Sequence, residues 1–265
     1  MQILKSKQNF YDKNGFVLIK NLLIKFNIKK IQKTILSRSK LYVNLGKNYK
    51  SFYDKNFHSE LIKLKKRNPK KFGSLYDSIQ KSFQLYSIIL EKKLTNYVCQ
   101  LSKLKKENLS FNGENIRIDI PNDRLHHLDW HQDRSYYFQN RDGDRGLVCW
   151  IPLINLKKKN GPLRICIASQ KDGFVEDYKK FRKTKKYSFQ RKIELKKKYK
   201  IFSQTLNEGD VIFMNKNTIH ASGINTSQFI RFSLQVRVHD LMDPDYLSFR
   251  YKIVYNQNDI NLLKK

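Results

Sequence analysis

The run Ile230-Arg231-Phe232-Ser233-Leu234-Gln235-Val236-Arg237-Val238 alternates between apolar and polar residues over its whole length. Because successive side chains of a strand point to opposite faces, the run predicts a strand with one apolar and one polar face. Two interpretations of the polar face are open. It lies in water, which is common for antiparallel sheets, or it lines the inside of a barrel, where Arg231 could bind a carboxylate.

Residues 112–240 contain further short, strand-like runs separated by turn residues such as those at 121–123, 142–144, 160–162 and 208–210. Many short strands at this spacing predict an all-β sandwich or barrel. Residues 170–200 interrupt the pattern with lysines and interleaved aromatic residues, which predicts a helical or mobile insertion. The runs are Ile116–Ile120, Trp130–Phe138, Leu147–Leu153, Leu163–Ala168, Asp210–Met214 and Ile230–Val238.

Residues 1–111 carry a different pattern. An apolar run after Gly15 predicts a strand, and residues 24–42 have the apolar spacing of a helix. Residues 75–104 lack Pro and repeat apolar residues at helical spacing, which predicts one long helix or two abutting ones. We therefore expect a single domain over residues 1–265, with N-terminal helices packed on a β-core and a C-terminal tail over residues 241–265.

The net charge of +31 comes from 54 basic and 23 acidic residues in a chain of 265. Lysine accounts for 41 of the basic residues and is spread along the whole chain, together with abundant Asn, Ile, Phe and Tyr. Such a uniform bias is typical of an AT-rich genome, whereas specific nucleic-acid recognition relies on arginine. The charge therefore favours a small anionic substrate over nucleic acid as the main partner.

Several classes of protein are excluded by composition. No stretch approaches the roughly 20 apolar residues that a membrane span requires, and the first residues do not resemble a secretory signal. Cys99, Cys149 and Cys166 are odd in number and widely spaced, so neither a disulfide framework nor a zinc site is predicted. These features predict a cytoplasmic protein.

A metal site is predicted from histidines in the run Leu125-His126-His127-Leu128-Asp129-Trp130-His131-Gln132-Asp133. On a strand, His131 and Asp133 would point to one face and could bind the same ion, with His220 as the best candidate for a third ligand. Two histidines and one carboxylate are the ligands of non-haem Fe(II) oxygenases. The pair His127 and Asp129 has the same spacing, so periodicity leaves the choice open, and histidines near surface turns are the alternative.

Several motifs, kept in order over most of the chain, resemble the phytanoyl-CoA dioxygenase family of Fe(II)/2-oxoglutarate-dependent oxygenases. The resemblance rests on the set and its order rather than on any single motif. The motifs are Gly15–Leu23, Trp130–Asp133, Trp150–Leu153, Asn160–Leu163, Gly209–Phe213, His220 with Gly223 and Asn225, and Arg231–Leu234.

The resemblance implies a double-stranded β-helix, a jelly-roll or cupin-like barrel, with flanking α-helices. It also implies Fe(II) bound by His131, Asp133 and His220, since the metal histidine of the family follows a Trp-like position. Retention of Asp133 favours oxygen transfer, because related halogenases have a small residue there.

The resemblance further implies a binding site for 2-oxoglutarate. Arg231, eleven residues after His220, matches the residue that binds the far carboxylate of this cosubstrate, and Ser233 assists it. Trp150, Gln132 and Asn115 fall where the family lines the cosubstrate pocket. Where family members carry a histidine after the Asn-Gly-Pro motif, this chain has Gln170, which puts substrate contacts there in doubt.

The implied reaction consumes 2-oxoglutarate and O2, releases succinate and CO2, and hydroxylates an unactivated C–H bond of a small metabolite or acyl conjugate. Two alternatives remain at this point: an oxidative demethylase acting on nucleic acid, and a barrel that binds ligands without turnover. Residues 170–200 are expected to form a lid over an anionic substrate, with Arg182, Lys183, Lys185 and Lys186 as its cations.

Overall fold

The alternating run near the C-terminus forms a ten-residue strand, Arg231–Asp240, with a neighbouring strand on each side. The structure is a computed structural model and describes residues 2–44, 51–123, 127–136, 145–174, 178–180, 187–189 and 192–243. The α-helices are α1 (Gln2–Asn14), α2 (Lys25–Ser39), α3 (Lys55–Arg67), α4 (Pro69–Ser78), α5 (Phe83–Ile89), α6 (Lys92–Ser102) and α7 (Lys192–Lys198). The strands are β1 (Phe16–Ile19), β2 (Leu109–Asp119), β3 (Leu147–Pro152), β4 (Arg164–Cys166), β5 (Tyr178–Lys180), β6 (Tyr187–Phe189), β7 (Ile201–Phe202), β8 (Val211–Asn215), β9 (His220–Ala221) and β10 (Arg231–Asp240).

Five antiparallel strands form the larger sheet, in the order β1-β8-β3-β10-β2. Its register places Gln235 of β10 opposite Asn115 of β2 and Trp150 of β3. Residues directly opposite one another in an antiparallel sheet share a face, so these three side chains form one row. A register shift between Gln235 and Arg237 marks a β-bulge in the pairing with β2.

The smaller sheet has the order β7-β4-β9 and is extended by a single bridge between His131 and His220. Strands β5 and β6 pair with each other within the predicted insertion. The two sheets and the flanking helices have the fold class that the sequence predicted, a double-stranded β-helix. The strands predicted at 116–120, 147–153, 163–168, 210–214 and 230–238 are confirmed in type, with shifted ends.

Helices cover the apolar face of β10. The ring centroids of Phe232 and Phe52 are 4.8 Å apart. Phe232 also stacks on Phe57 of α3, and the planes of these two rings are within 3° of parallel. All three rings are buried, and burying one such side chain contributes roughly 1.5–3 kcal/mol. Helix α6 adds a stacked contact between Tyr97 and Phe213 of β8. The larger sheet is therefore buried on this side, and its other side is left to form the barrel interior.

The polar face of β10 is also buried. Arg231 is 3% exposed, Ser233 0% and Gln235 6%. The interpretation that this face lies in water is wrong. Arg231 contacts the carbonyls of Gly161 and Gly223, and Gln235 donates to Asp133. Arg237, the fourth residue of this face, is partly exposed, with 15% of its side chain accessible. Buried polar side chains need hydrogen-bond partners or a ligand.

Two local predictions are wrong. The helix expected over residues 75–104 is interrupted twice, because the Ser82 side chain caps a new helix by accepting from the Leu85 amide, and because the chain breaks again at Leu90 and Glu91. The strand expected from Trp130 onward is a single bridging residue, His131, followed by a 3-10 helix over Asp133–Tyr136.

The predicted lid is described only in part. Its cations Arg182, Lys183, Lys185 and Lys186 lie outside the described residues. Leu195 of α7 packs in a small apolar cluster with Trp130 and Ala221, so the end of the insertion lies against the smaller sheet. In the described part of the chain, no helix is both long enough and apolar enough to span a membrane.

Candidate metal centre

His131, Asp133 and His220 bring one ligand atom each to within 4.8 Å of one another, and all three side chains are buried. The two histidines face each other across their bridge, with both N–H···O distances at 2.9 Å and ring centroids 4.3 Å apart. Asp133 enters from the first turn of the 3-10 helix. Asp133 therefore lies near the histidines because of this helical turn, and not because residues 131 and 133 share one face of a strand.

Backbone carbonyls orient both imidazoles. His131 Nδ1 lies 2.6 Å from the carbonyl of Asp129, and His220 Nδ1 lies 2.9 Å from that of Thr218. A carbonyl only accepts, so each Nδ1 carries the hydrogen and each Nε2 keeps its lone pair for a metal. Burial, assisted by the neighbouring His220, lowers the pKa of His131 to about 3. His131 is therefore neutral at pH 7, as a metal ligand must be.

The carboxylate of Asp133 is held by two residues of β10. Arg237 donates to Oδ1 through Nε at 3.1 Å and through a terminal nitrogen at 2.7 Å. Gln235 donates to Oδ2 at 2.9 Å, and His220 Nε2 lies 3.6 Å from the same oxygen. Burial alone would raise the pKa of this carboxyl, but the Arg237 guanidinium holds it well below its usual range. Asp133 is therefore ionised and fully buried.

The donor set suits Fe(II). Two neutral imidazole nitrogens and one carboxylate on one side of an ion are the facial arrangement of non-haem Fe(II) oxygenases, and they leave further positions open. The rival pair lies elsewhere: His127 Nε2 contacts the carbonyl of Ser222 at 2.9 Å, and Asp129 accepts from the Trp130 amide. No second group of three converging metal-ligating atoms occurs among the residues that the structure describes.

Arg231 lies at the other end of the polar face and bonds a carboxylate. Its guanidinium donates to Asp119 Oδ2 from Nε at 3.2 Å and from a terminal nitrogen at 2.9 Å, and it also contacts the carbonyls of Gly161 and Gly223. Arg117 bonds the other oxygen of Asp119 at 2.5 Å. Burial would raise the pKa of Asp119, but the two guanidinium groups lower it far below its usual range. Two cations around one carboxylate leave a net charge of +1.

Sequence reasoning missed Arg117 and Asp119. Both lie on β2, two residues apart, in the register positions opposite Ser233 and Arg231. Their spacing of two residues indicates that both side chains lie on the same face of a strand. The sequence alone, however, does not show that this strand pairs with β10. The Ser233 hydroxyl lies between the two ends of the polar face, and it is fully buried without a hydrogen-bond partner. A buried hydroxyl of this kind costs free energy unless a ligand satisfies it.

The remaining expected pocket residues divide into two groups. Trp150 and Asn115 share the inward-facing row with Gln235, and the Tyr76 hydroxyl donates to Asn115 Oδ1 at 2.6 Å. Gln132 is different, because its amide donates to the backbone carbonyls of Gly173 at 2.8 Å and Asn217 at 2.5 Å. Gln132 thus connects two loops beside the metal ligands.

Gln170, which stands where the family has a histidine, contacts the N-terminal helix. Its amide donates to the carbonyl of Asp12 at 3.1 Å. Gly15 has a φ of +78°, and a Cβ there would collide with the Gln170 side chain. Gln170 therefore anchors the end of α1 against the loop after β4.

A cavity of about 790 Å³ is lined by Trp130, by His127 and by Arg231. Arg164 stacks over the Trp130 ring at 4.8 Å and, with Arg231 and two lysines of α7, lines this cavity. Asp119, Asp123 and Asp129 also line it, whereas none of the three candidate metal ligands does.

Comparison with solved structures shows the same fold in several enzymes. The epimerase SnoN, solved with Fe3+, alpha ketoglutarate and nogalamycin RO, has a TM-score of 0.64 at 13% identity, covering 96% of this chain and 92% of SnoN. EctD from S. alaskensis, in its apoform, has a TM-score of 0.61 at 14% identity, covering 89% of this chain and 76% of EctD. EvdO2 from Micromonospora carbonacea var. aurantiaca, complexed with 2-oxoglutarate, has a TM-score of 0.56 at 14% identity, covering 90% of this chain and 93% of EvdO2.

No curated protein matches this sequence. The family model for phytanoyl-CoA dioxygenase (PhyH), however, matches residues 11–233 of the 265. The match begins at the end of α1 and includes the metal ligands, Arg231 and Ser233. The chain belongs to the phytanoyl-CoA dioxygenase family.

Proposed function

We propose that this protein is an Fe(II)/2-oxoglutarate-dependent dioxygenase that hydroxylates an unactivated C–H bond of a small anionic metabolite or acyl conjugate. The observation that carries the proposal is the buried group of His131, Asp133 and His220 in a member of this family. Its relatives by fold support it, since EctD was solved with 2-oxoglutarate and 5-hydroxyectoine. The oxidative demethylase and the non-catalytic barrel are not favoured by any of these observations.

In this proposal His131, Asp133 and His220 hold the iron, which when bound supplies the activation of O2 for C–H hydroxylation. The backbone carbonyls of Asp129 and Thr218 keep both imidazoles in the ligating tautomer. The three ligands are buried, which keeps bulk water from this site. The chain thus supplies ligands in fixed orientation rather than an acid or base of its own.

The far carboxylate of 2-oxoglutarate is assigned to Arg231. The net positive charge of Arg117, Arg231 and Asp119 favours an incoming carboxylate. The unsatisfied Ser233 hydroxyl lies next along the same face and would donate to the cosubstrate. Trp150 and Asn115 border the path from Arg231 to the metal ligands, and Gln132 supports the loops beside them.

Substrate recognition is assigned to the cavity beside Trp130. Four cations, Arg164, Arg231, Lys196 and Lys197, line this cavity against three carboxylates, Asp119, Asp123 and Asp129. The excess of one positive charge suits a carboxylate or phosphate group on the substrate. We place the enzyme in the cytoplasm, because its three cysteines are all free.

The proposal is tested by following succinate formation with Fe(II), 2-oxoglutarate and a library of anionic metabolites. A true substrate raises succinate above the uncoupled background and gains one oxygen atom in its mass. His131→Ala should lose both iron and turnover, whereas His127→Ala, the matched control for metal binding, should keep its iron. Iron loss in the His127 variant with an unaffected His131 variant would overturn the ligand assignment.

A further inference from the structure

The carboxylate of Asp133 is bound asymmetrically. A carboxylate oxygen has two in-plane lone pairs. Oδ1 accepts two N–H groups, both from the Arg237 guanidinium, at 3.1 and 2.7 Å. Oδ1 is therefore saturated by protein donors.

Oδ2 has a different environment. It accepts one N–H from Gln235 at 2.9 Å and lies 3.6 Å from His220 Nε2. One lone pair of Oδ2 is left, on the side where the imidazoles converge. The Asp133 side chain is 0% exposed, so bulk solvent does not reach the remaining lone pair.

We propose that Arg237 is a positioning residue that restricts Asp133 to binding the metal through Oδ2 alone. This inference rests on the proposed function. Two histidines and one oxygen leave three of six positions open around the ion. 2-Oxoglutarate needs two of them and O2 needs the third. A carboxylate that bound through both oxygens would take the position that O2 requires.

The geometry of β10 explains how two residues reach one carboxylate. Gln235 and Arg237 are two residues apart and share the inward face. The bulge in the pairing with β2 lies at this point and leaves their pairing with β3 regular, opposite Trp150 and Val148. Bulges commonly re-aim side chains beside active sites. Arg237 lies six residues from Arg231, roughly 20 Å along the strand, so the two arginines serve different ends of the site.

An ordinary charge-neutralising role is the alternative for Arg237. Any cation near Asp133 would offset the cost of burying the carboxylate. The two roles predict different accessibility of the open coordination positions to O2. Neutralisation affects stability and iron binding, whereas restriction of Oδ1 affects the access of O2 to iron that is already bound.

The test uses Arg237→Gln, which keeps one donor but does not saturate Oδ1, and Arg237→Lys, which keeps the charge without the fork. Arg145→Gln is the matched control, since Arg145 pairs with Asp240 at 3.2 Å near the end of the same strand. Each protein is loaded anaerobically with Fe(II) and 2-oxoglutarate and titrated with nitric oxide, a stand-in for O2. The electron paramagnetic resonance signal of nitric oxide on Fe(II) reports the open position.

We expect both Arg237 variants to keep iron and 2-oxoglutarate. Their affinity for nitric oxide should fall by roughly 10- to 100-fold, the size of effect that is usual when a residue hydrogen-bonded to a metal ligand is mutated. Their kcat should fall with little change in KM for 2-oxoglutarate, and the Arg145 variant should match the parent. Where Arg237→Gln does not fold, Arg237→Lys carries the test. Parental affinity for nitric oxide in the folded variant, or loss of its iron, would overturn the inference. A parent protein that binds neither Fe(II) nor 2-oxoglutarate would instead contradict the proposed function.

Discussion

The polar face of β10 has an arginine–aspartate pair at each end, and the two pairs differ in charge balance. At one end Asp119 is shared by Arg231 and Arg117, so positive charge is in excess. At the other end Asp133 pairs with a single arginine, Arg237, beside two histidines. The first end is suited to receive an anion and the second to receive a cation. The same two residue types would thus serve ligands of opposite charge in the proposed function, and the two ends differ in the number of arginines.

The largest effect is expected from removing the carboxylate at the metal end. Asp133→Ala should abolish both iron binding and succinate formation, because two imidazoles alone do not complete the ligand set. Metal content after dialysis and turnover are the measurements. Asp129→Ala serves as the control and should retain iron. If Asp133→Ala kept its iron, Asp133 would not be a metal ligand, and this end of β10 would not be a cation site.

The next effect concerns the anion end. Arg231→Lys keeps the charge but loses the planar fork, so binding of 2-oxoglutarate should weaken by roughly 1.5–3 kcal/mol. KM for 2-oxoglutarate should rise accordingly, with iron content intact. Arg145→Lys is the matched control. An unchanged KM at position 231 would show that Arg231 does not bind the cosubstrate.

His58 packs on the apolar side of β10, away from the proposed iron and cosubstrate sites, and it affects stability rather than ligand binding. His58 of α3 accepts from the Ile230 amide at 2.9 Å and contacts the carbonyl of Phe52 at 3.0 Å, and burial lowers its pKa to about 4. Between pH 6.5 and 4 the unfolded chain binds a proton that the folded chain excludes. The free energy of unfolding should therefore fall with decreasing pH, by up to roughly 1.4 kcal/mol per unit from this residue.

Denaturant unfolding at several pH values measures this contribution. The His58→Gln variant should show a shallower fall in the free energy of unfolding between pH 6.5 and 4 than the parent, whatever its stability at pH 7. Equal slopes for the two proteins would show that His58 is not the group excluded from protonation.

The smallest effect is expected between the two ends. Ser233→Ala removes a hydroxyl that is buried without a hydrogen-bond partner. The melting temperature without cosubstrate should not fall, whereas binding of 2-oxoglutarate should weaken by roughly 0.5–1.5 kcal/mol. Calorimetric binding and thermal melts measure the two quantities. A lower melting temperature with unchanged binding would make Ser233 part of the core instead.

The sequence alone determined the strands with strong alternation and the identity of the candidate ligands. The run at 230–238 alternates without a break, and periodicity is a local property that a single segment carries. The choice of His131 over His127 came from the resemblance of ordered motifs, since periodicity allowed both. Local pattern was misleading at Asp133, where a 3-10 turn takes the place of the expected strand.

Only the tertiary structure decided which partners the polar side chains have. Arg231 and Asp119 are 112 residues apart, and Arg237 and Asp133 are 104 apart. No spacing rule connects such positions, because strand pairing is set by the packing of whole sheets rather than by neighbours in the chain. Burial of the polar face of β10 has the same origin. Residues distant in the chain meet that face, so Arg231 binds Asp119 and Arg237 binds Asp133 instead of water.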